Sequence, residues 1–268
     1  MHENRPIGIF DSGIGGLTVA NAIQELLPNE TLVYFGDTAH LPYGDKSTTA
    51  IQSYAIKICN LLLKHDCKAI VIACNSASAA AFQLVKEYVG TKSLVFNVID
   101  PTVAYVLENY QSKKIGVIGT RRTVASKIYE KNITTSQKNI SVASLATPLL
   151  APMIEEGFYE NNISQTVIDN YLSDKKLQGI NALVLACTHY PLIMKEIQNY
   201  YNDNVEVLNS ADLVAKTIKH KFHEHKLLAS NNEKLDLFYV SDYTSSFEKA
   251  TKLFFRKKIE LKEYKLWE

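Results

Sequence analysis

The sequence predicts an α/β protein with two doubly wound parallel-sheet domains. Short β-branched runs alternate with helical stretches along the whole chain, which is the pattern of strand–helix units in a parallel sheet. The strand runs are apolar throughout, as expected for strands that helices cover on both faces. A six-residue pattern at 69–74 also recurs at 182–187, and another at 7–12 recurs at 115–120. The chain therefore consists of two halves of similar design.

The predicted elements follow one another in regular alternation. The predicted strands span residues 7–10, 31–35, 69–73, 94–98, 114–118, 142–146, 182–186, 205–208 and 235–240. The predicted helices span residues 17–26, 48–63, 78–88, 102–110, 123–131, 164–172, 192–200, 211–222 and 246–255. Each strand run except the last thus has a helical stretch before the next strand, as a parallel sheet requires.

The duplicated patterns also place the domain division, since no Gly/Ser-rich or Pro-rich linker separates the halves. We expect a first domain at residues 1–97 plus 209–268 and a second at 98–208. The last segment belongs to the first domain because it has no counterpart in the second half. Two such domains predict a pseudo-two-fold arrangement with the active site in the cleft between them, because ligands bind beyond the carboxyl ends of parallel strands.

Composition excludes several classes of function. The 268 residues are 46% hydrophobic and 21% charged, as in a globular protein, and carry a formal net charge of +1. This charge predicts no nucleic-acid partner and no anionic membrane partner. The polar residues 1–6 lead directly into a strand, and no apolar run reaches the roughly 18 residues of a membrane span. We therefore expect no signal peptide, no membrane association and a cytoplasmic location with reduced thiols.

The cysteines separate into two kinds. Cys59 and Cys67 lie near the end of a helical stretch and are interpreted as inert buried thiols. Cys74 and Cys187 close the duplicated pattern, so each lies at a strand end just before a helix, where the helix N-terminus favours a thiolate. The spacings contain no Cys-x-x-Cys pair, which argues against a zinc site or a thioredoxin-type site. We predict no metal and no cofactor.

Polar residues accompany both candidate thiols. Asp11 is the candidate proton partner of Cys74, although it could equally cap the following helix, and His189 is the candidate partner of Cys187 because its pKa lies near neutrality. Glu155 and Glu156 are interpreted from their position as structural or solvated. Neutral donors that could hold substrate carboxylates at predicted strand ends or turns are Ser12, Tyr43, Gly44, Asn75, Ser76, Thr120 and Thr188.

Six motifs in order carry a resemblance to a known family. They are Phe10-Asp11-Ser12-Gly13-Ile14-Gly15-Gly16, Gly36-Asp37-Thr38-Ala39-His40-Leu41-Pro42-Tyr43-Gly44, Ala73-Cys74-Asn75-Ser76-Ala77, Gly119-Thr120, Pro152-Met153-Ile154-Glu155-Glu156-Gly157 and Cys187-Thr188-His189-Tyr190-Pro191. In this combination the chain resembles, over nearly its whole length, the glutamate racemase family of cofactor-independent aspartate/glutamate racemases. It departs from the family at Ser76, where Thr is common, and at Asp100, where Glu is more usual.

The resemblance implies a cofactor-independent racemisation of L- and D-glutamate by two cysteines. It implies that Cys74 serves the D-enantiomer and Cys187 the L-enantiomer, that Pro42 and Glu155 line the substrate site, and that D-glutamate supplies peptidoglycan synthesis. For oligomeric state, the resemblance leaves both a homodimer and a monomer open.

Three alternatives stay open at this point. The substrate could be aspartate or another amino acid. The chain could instead be a binding or regulatory protein, since some family members inhibit DNA gyrase, although its near-neutral charge gives this no support. It could also be a thiol-dependent redox protein, which would form a disulfide between Cys74 and Cys187.

Overall fold

Two parallel sheets organise the chain, and each belongs to its own compact unit. The computed structural model describes residues 3–136, 138–230 and 235–268. The first unit comprises Met1–Val98 and Ala211–Glu268, and the second comprises Ile99–Ser210. The predicted fold class, parallel-sheet α/β in two parts, is confirmed by these two sheets.

The strands and helices alternate in chain order. The strands are β1 (Ile7–Asp11), β2 (Leu32–Gly36), β3 (Ala69–Ile72), β4 (Leu94–Asn97), β5 (Lys114–Gly119), β6 (Ser141–Ala146), β7 (Ala182–Ala186), β8 (Glu206–Asn209), β9 (Leu237–Val240) and β10 (Leu261–Glu263). The helices are α1 (Leu17–Leu26), α2 (Thr48–Lys64), α3 (Asn75–Val89), α4 (Ile99–Asn109), α5 (Arg121–Ser126), α6 (Ile128–Thr134), α7 (Leu150–Glu155), α8 (Asn162–Leu172), α9 (Met194–Tyr200), α10 (Ser210–Glu224) and α11 (Ser245–Phe254).

The internal duplication is visible in the order of the strands. The first sheet runs β10-β9-β2-β1-β3-β4 and the second runs β6-β5-β7-β8, with every pairing parallel. The four-strand order is therefore the same in both, second–first–third–fourth. In such a sheet the chain reverses its direction of winding beside the first strand, and ligands bind at the carboxyl ends there. These ends carry Asp11 and Cys74 in the first unit, and Thr120 and Cys187 in the second.

Three local features differ from the prediction. The helix predicted at 123–131 is wrong as a single element, because Lys127 adopts a left-handed φ of 55° and divides it into α5 and α6. The Ser126 hydroxyl accepts the N–H of Ile128 at 3.2 Å and so competes with the helical hydrogen bonds. The sequence also missed α7 and the edge strand β10, whose three residues include one buried side chain, that of Leu261.

The helix predicted at 78–88 begins earlier, directly after Cys74. The Cys74 sulfur accepts the N–H of Ala77 and serves as the N-cap of α3. The first turn of α3 contains Asn75 and Ser76, whose polar side chains do not extend the apolar repeat that marks the rest of the helix. This earlier start places both residues at the helix N-terminus.

Gly36 is required by a close approach of two backbone segments. A Cβ on Gly36 would lie 2.2 Å from the carbonyl oxygen of Gly13, whereas a Cβ on Gly13 would have only the Leu41 side chain near it, at 3.8 Å. We expect Gly36→Ala to lower the free energy of unfolding by about 2–3 kcal/mol, because no side-chain rotation relieves a clash with backbone. Urea denaturation of Gly36→Ala, with Gly13→Ala as the control, measures this. Equal stability of the two variants would contradict it.

Across the parts of the chain that the structure describes, no helix combines the length and the apolar character needed to cross a bilayer.

Candidate active site

Cys74 lies at the N-terminus of α3 in the first unit. Its sulfur accepts the N–H of Ala77 at 3.4 Å and contacts the Ser12 hydroxyl at 3.8 Å. Only 6% of the residue is exposed. A helix N-terminus presents positive potential and unpaired N–H groups, and both stabilise a thiolate. Cys74 is therefore placed for proton transfer, with Ser12 beside it.

Asp11 ends β1 and is fully buried. Its Oδ2 accepts the N–H of Gly16 at 2.8 Å and that of Gly13 at 3.3 Å. The carboxylate thus caps the turn that leads into α1, which is one of the two roles that the sequence left open. Because this capping uses one carboxylate oxygen, it does not preclude the other role, and proton transfer by Asp11 stays a prediction.

Tyr34 lies close to Asp11 and Cys74, although nothing in its apolar strand pattern singles it out. Its hydroxyl donates to the carbonyl oxygen of Gly13 at 2.7 Å. Burial raises the pKa of Tyr34 well above its ordinary value, and the charges of Asp11 and Cys74 raise it further. Tyr34 therefore stays neutral, and its hydroxyl lies close enough to Asp11 and Cys74 for their charges to affect its pKa.

The Pro42-Tyr43-Gly44 turn is anchored by a hydrogen bond from Tyr43 to the buried carboxylate of Asp37. The Tyr43 hydroxyl donates to Oδ2 of Asp37 at 2.6 Å, and the short 3₁₀ helix Tyr43–Asp45 follows a cis Leu41-Pro42 bond. Burial raises the pKa of Tyr43, and so do the charge of Asp37 and the hydrogen bond to it. This hydroxyl is thus engaged with Asp37, and ligand binding through the backbone of the turn stays a prediction.

Asn75 and Ser76 lie in the first turn of α3, next to Cys74, and both are buried.

Asp37 belongs to the motif that contains Tyr43, but the sequence analysis did not select it as a site residue. The signal that could have found it is an acidic residue directly after an apolar strand.

In the second unit, Cys187, His189 and Glu155 form a continuous chain of contacts. The Cys187 sulfur lies 3.6 Å from Nδ1 of His189, and Nε2 of His189 lies 2.8 Å from Oε1 of Glu155. This is the arrangement of a nucleophile or base, its proton partner and a carboxylate that orients the partner. Glu155 thus contacts His189, and direct contact of Glu155 with a substrate stays a prediction.

His189 is favoured in its protonated form. Burial opposes its charge, but hydrogen bonds to Cys187 and Glu155, together with their charges, raise the pKa of His189 well above its ordinary value. An imidazolium beside a sulfur stabilises the thiolate. The pair therefore supplies Cys187 with the charge partner that the helix N-terminus supplies to Cys74.

Thr120 and Thr188 complete the second group. Thr120 follows β5 and caps α5 by accepting the N–H of Thr123 at 3.2 Å. It comes after Gly119, which pairs with Ala186, the residue before Cys187. Thr188 is buried at 7% exposure. Both threonines thus lie at the same edge of the second sheet as Cys187.

Replacing Glu155 by glutamine is expected to lower the pKa of His189, because a neutral amide cannot balance the imidazolium. The folded pKa exceeds the unfolded value of about 6.5. Stabilisation by protonated His189 is therefore complete below about pH 6.5 and is lost as the pH rises through the folded pKa. An NMR titration of the His189 ring measures this, with Glu156→Gln on the exposed neighbour as the control. Identical His189 titrations in both variants would exclude the proposed coupling.

Comparisons with known proteins show the family of this chain. The profile described as Asp/Glu/Hydantoin racemase matches residues 15–218. The chain belongs to this family. The racemase is 40% identical over 255 residues to "Glutamate racemase 3" of Caldanaerobacter subterraneus, covering 95% of this chain and 92% of that one. It is 41% identical over 250 residues to a glutamate racemase of Chlorobaculum parvum, covering 93% and 92%.

A solved structure matches this racemase over almost its entire length. The glutamate racemase of Francisella tularensis, crystallised in complex with D-glutamate, superposes with a TM-score of 0.91 at 37% identity and covers 99% of each chain. Within residues 3–136, 138–230 and 235–268 of the racemase, no three His, Cys, Asp or Glu side chains are grouped so that they could hold a metal ion.

Proposed function

We propose that this racemase interconverts L- and D-glutamate without a cofactor, using Cys74 and Cys187 as its two acid–base groups. The observation that carries the proposal is the equivalent placement of the two thiols. Each follows the third strand of a sheet with the same strand order, at the edge where such sheets bind ligands. Each also has its own local group that stabilises a thiolate.

Inversion at the α-carbon requires a base on one face and an acid on the other. The thiolate of one cysteine removes the α-proton, and the thiol of the other delivers a proton to the opposite face. In the reverse direction the two exchange roles. We assign Cys74 to the D-enantiomer and Cys187 to the L-enantiomer, with Asp11 and His189 as their respective proton partners.

The carbanionic intermediate needs fixed donors rather than water. Neutral hydroxyl, amide and backbone groups stay in place during the reaction and need no reorganisation. The residues assigned to holding the two carboxylates of glutamate are Ser12, Pro42, Tyr43, Gly44, Asn75, Ser76, Thr120 and Thr188, with Asp11 and Glu155 beside them. Among these residues, several are buried, where a hydrogen bond is stronger than in water: Asp11, Tyr43, Asn75, Ser76 and Thr188.

Glutamate is favoured as substrate because the named relatives are glutamate racemases and one of them was solved with D-glutamate. We further propose that the product D-glutamate supplies peptidoglycan synthesis. The mechanism requires both thiols to be reduced, and none of the four cysteines, all of which lie within the described residues, forms a disulfide, so we place the enzyme in the cytoplasm.

Proton NMR of L-glutamate with the purified protein in D₂O, without added cofactor, tests the proposal. We expect the α-proton signal to disappear while D-glutamate accumulates. Aspartate serves as the parallel substrate. Turnover of aspartate but not of glutamate would show that aspartate is the substrate. Absence of α-proton exchange with both amino acids would overturn the proposed activity.

A further inference from the structure

The buried carboxylate of Asp37 accepts hydrogen bonds from side chains in separate parts of the first unit. The Tyr43 hydroxyl donates to Oδ2 at 2.6 Å, and Nδ1 of His40 lies 3.0 Å from the same oxygen. The Ser241 hydroxyl and Nε1 of Trp267 both donate to Oδ1, each at 2.8 Å. Asp37 is 0% exposed, so each donor replaces solvation that the carboxylate has lost. The carboxylate therefore depends on all of these side chains.

Trp267 reaches this carboxylate from far along the sequence and is itself held by aromatic contacts. Its ring packs edge-on against His40 at 4.5 Å and against Tyr54 at 5.3 Å between centroids. The Lys57 ammonium lies 4.9 Å from the centroid of the indole ring. His40 and Tyr54 also stack on each other at 4.1 Å. Ring packing thus fixes the direction of the indole N–H toward Asp37.

We propose that Trp267 is a positioning residue for the substrate-binding turn formed by residues 42–44. The indole N–H fixes the Asp37 carboxylate, and this carboxylate fixes the Tyr43 hydroxyl. The inference rests on the proposed function, which assigns Tyr43 and Gly44 to holding a glutamate carboxylate. The segment after β10 is then part of the support of the glutamate site, although Trp267 itself does not contact the reacting thiols.

The physical reason is that the turn binds through its backbone, which the Tyr43 side chain anchors. A hydrogen bond from a neutral donor to a buried carboxylate is stronger than one between neutral groups. Without the indole N–H, Oδ1 of Asp37 keeps the Ser241 hydroxyl but loses a donor of fixed direction. The Asp37 carboxylate then has more conformational freedom, and so does the Tyr43 side chain that it holds. The free-energy cost of ordering the turn is then taken from the binding free energy of the substrate. This weakens substrate binding more than it slows the proton transfers.

Trp267→Phe is the decisive variant, because it keeps a smaller aromatic ring against His40 and Tyr54 and removes the indole N–H. We expect KM for both enantiomers of glutamate to rise about five- to tenfold, less than for direct loss of a hydrogen bond to a charged group because the effect reaches the turn through Asp37, with kcat within about twofold of wild type. Lys57→Met is the matched control. It removes the cation above the same ring, leaves the N–H in place and is expected to leave KM unchanged.

A purely structural role predicts a different outcome. In that case Trp267→Phe and Trp267→Ala would both match wild type in KM, and both would only lose thermal stability, Trp267→Ala more because it loses more packing. An unchanged KM in Trp267→Phe would therefore overturn the inference. A KM increase in Trp267→Phe with kcat close to wild type supports it, because a loss of thermal stability alone does not raise KM of the folded enzyme.

The premise of a docked indole can be measured separately. Trp267 is the single tryptophan in the sequence, so its fluorescence reports on this contact alone. We expect acrylamide to quench it more slowly than free indole, and quenching at the rate of free indole would overturn the inference. Racemisation by the wild-type protein is measured first, so that failure of the proposed activity is distinguished from failure of the positioning role.

Discussion

Replacing Cys74 or Cys187 by alanine is expected to lower kcat/KM for glutamate by at least about 10³-fold in both directions, because each inversion needs both groups. A thiol that only binds substrate would affect the two directions through KM. A thiol that exchanges protons affects kcat, since no other side chain supplies the missing acid or base on that face. Racemisation is followed by circular dichroism over a range of L- and D-glutamate concentrations that extends to saturation, so that kcat and KM are obtained separately.

The same variants separate the two faces. In D₂O, each retains one thiol that can remove a proton and return deuterium to the same face. We expect Cys74→Ala to exchange the α-proton of L-glutamate only, and Cys187→Ala to exchange that of D-glutamate only, both without inversion. The opposite preference would reverse the assignment of the faces.

Cys59→Ala and Cys67→Ala are the matched controls. Both residues are buried, and burial raises the pKa of the Cys67 thiol to about 12 and raises that of Cys59 as well. Neither thiol ionises near neutral pH, so we expect turnover close to wild type in both. Near-wild-type turnover in Cys74→Ala or Cys187→Ala would remove the two-base mechanism while leaving the family membership unaffected.

Lys68→Met is expected to lower the free energy of unfolding by about 3–5 kcal/mol, because it leaves a buried carboxylate without its partner. Nζ of Lys68 lies 2.5 Å from Oε2 of Glu30, and both side chains are almost completely buried. Nζ also donates to the carbonyl oxygens of Glu3 and Leu227. One ammonium thus connects the start of β3 with two distant segments of the first unit.

Desolvation dominates this ion pair. Burial raises the pKa of Glu30 and lowers the pKa of Lys68, and their mutual hydrogen bond opposes both shifts only in part. The loss in Lys68→Met therefore comes mainly from the stranded charge rather than from a lost attraction. Adding Glu30→Gln removes that charge and keeps an oxygen to accept the N–H of Ala229, which Glu30 accepts at 2.9 Å. We expect the double variant to recover at least about half of the lost stability.

Urea denaturation of the single and double variants checks this result. Lys221→Met is the control, since Lys221 pairs with Glu224 on the exposed surface of α10 at 2.7 Å and its loss should leave the free energy of unfolding unchanged within error. A double variant no more stable than Lys68→Met alone would show that the two carbonyl contacts, rather than the charge of Glu30, determine the loss.

Local sequence signals were sufficient for the apolar parallel strands and for the positions of Cys74 and Cys187 at strand ends. The apolar runs at β1, β3, β5 and β7 are fully or largely buried, as their composition predicts. Cys74 and Cys187 were found because each ends a duplicated strand and precedes polar residues. These features are encoded by neighbouring residues, so a period of apolar side chains and a repeated motif reveal them.

Where an element depends on few buried residues, the sequence was less informative. The charged edge strand β10 buries only Leu261 of its three residues, so it lacks the apolar run that marks the other strands. The division of the helix at Lys127 depends on one side-chain hydrogen bond and one left-handed residue, and the apolar repeat carries no signal of either.

By itself, the sequence determined the fold class, the duplication and the cysteines, because periodicity and strand ends are local properties of the chain. Only the tertiary structure showed what surrounds them. It placed Glu155 on His189, Trp267 on Asp37 and Glu30 on Lys68, pairs separated by 34, 230 and 38 positions. Such pairs form because a buried charge must find partners wherever the fold supplies them, and no short-range pattern in the sequence records where that will be.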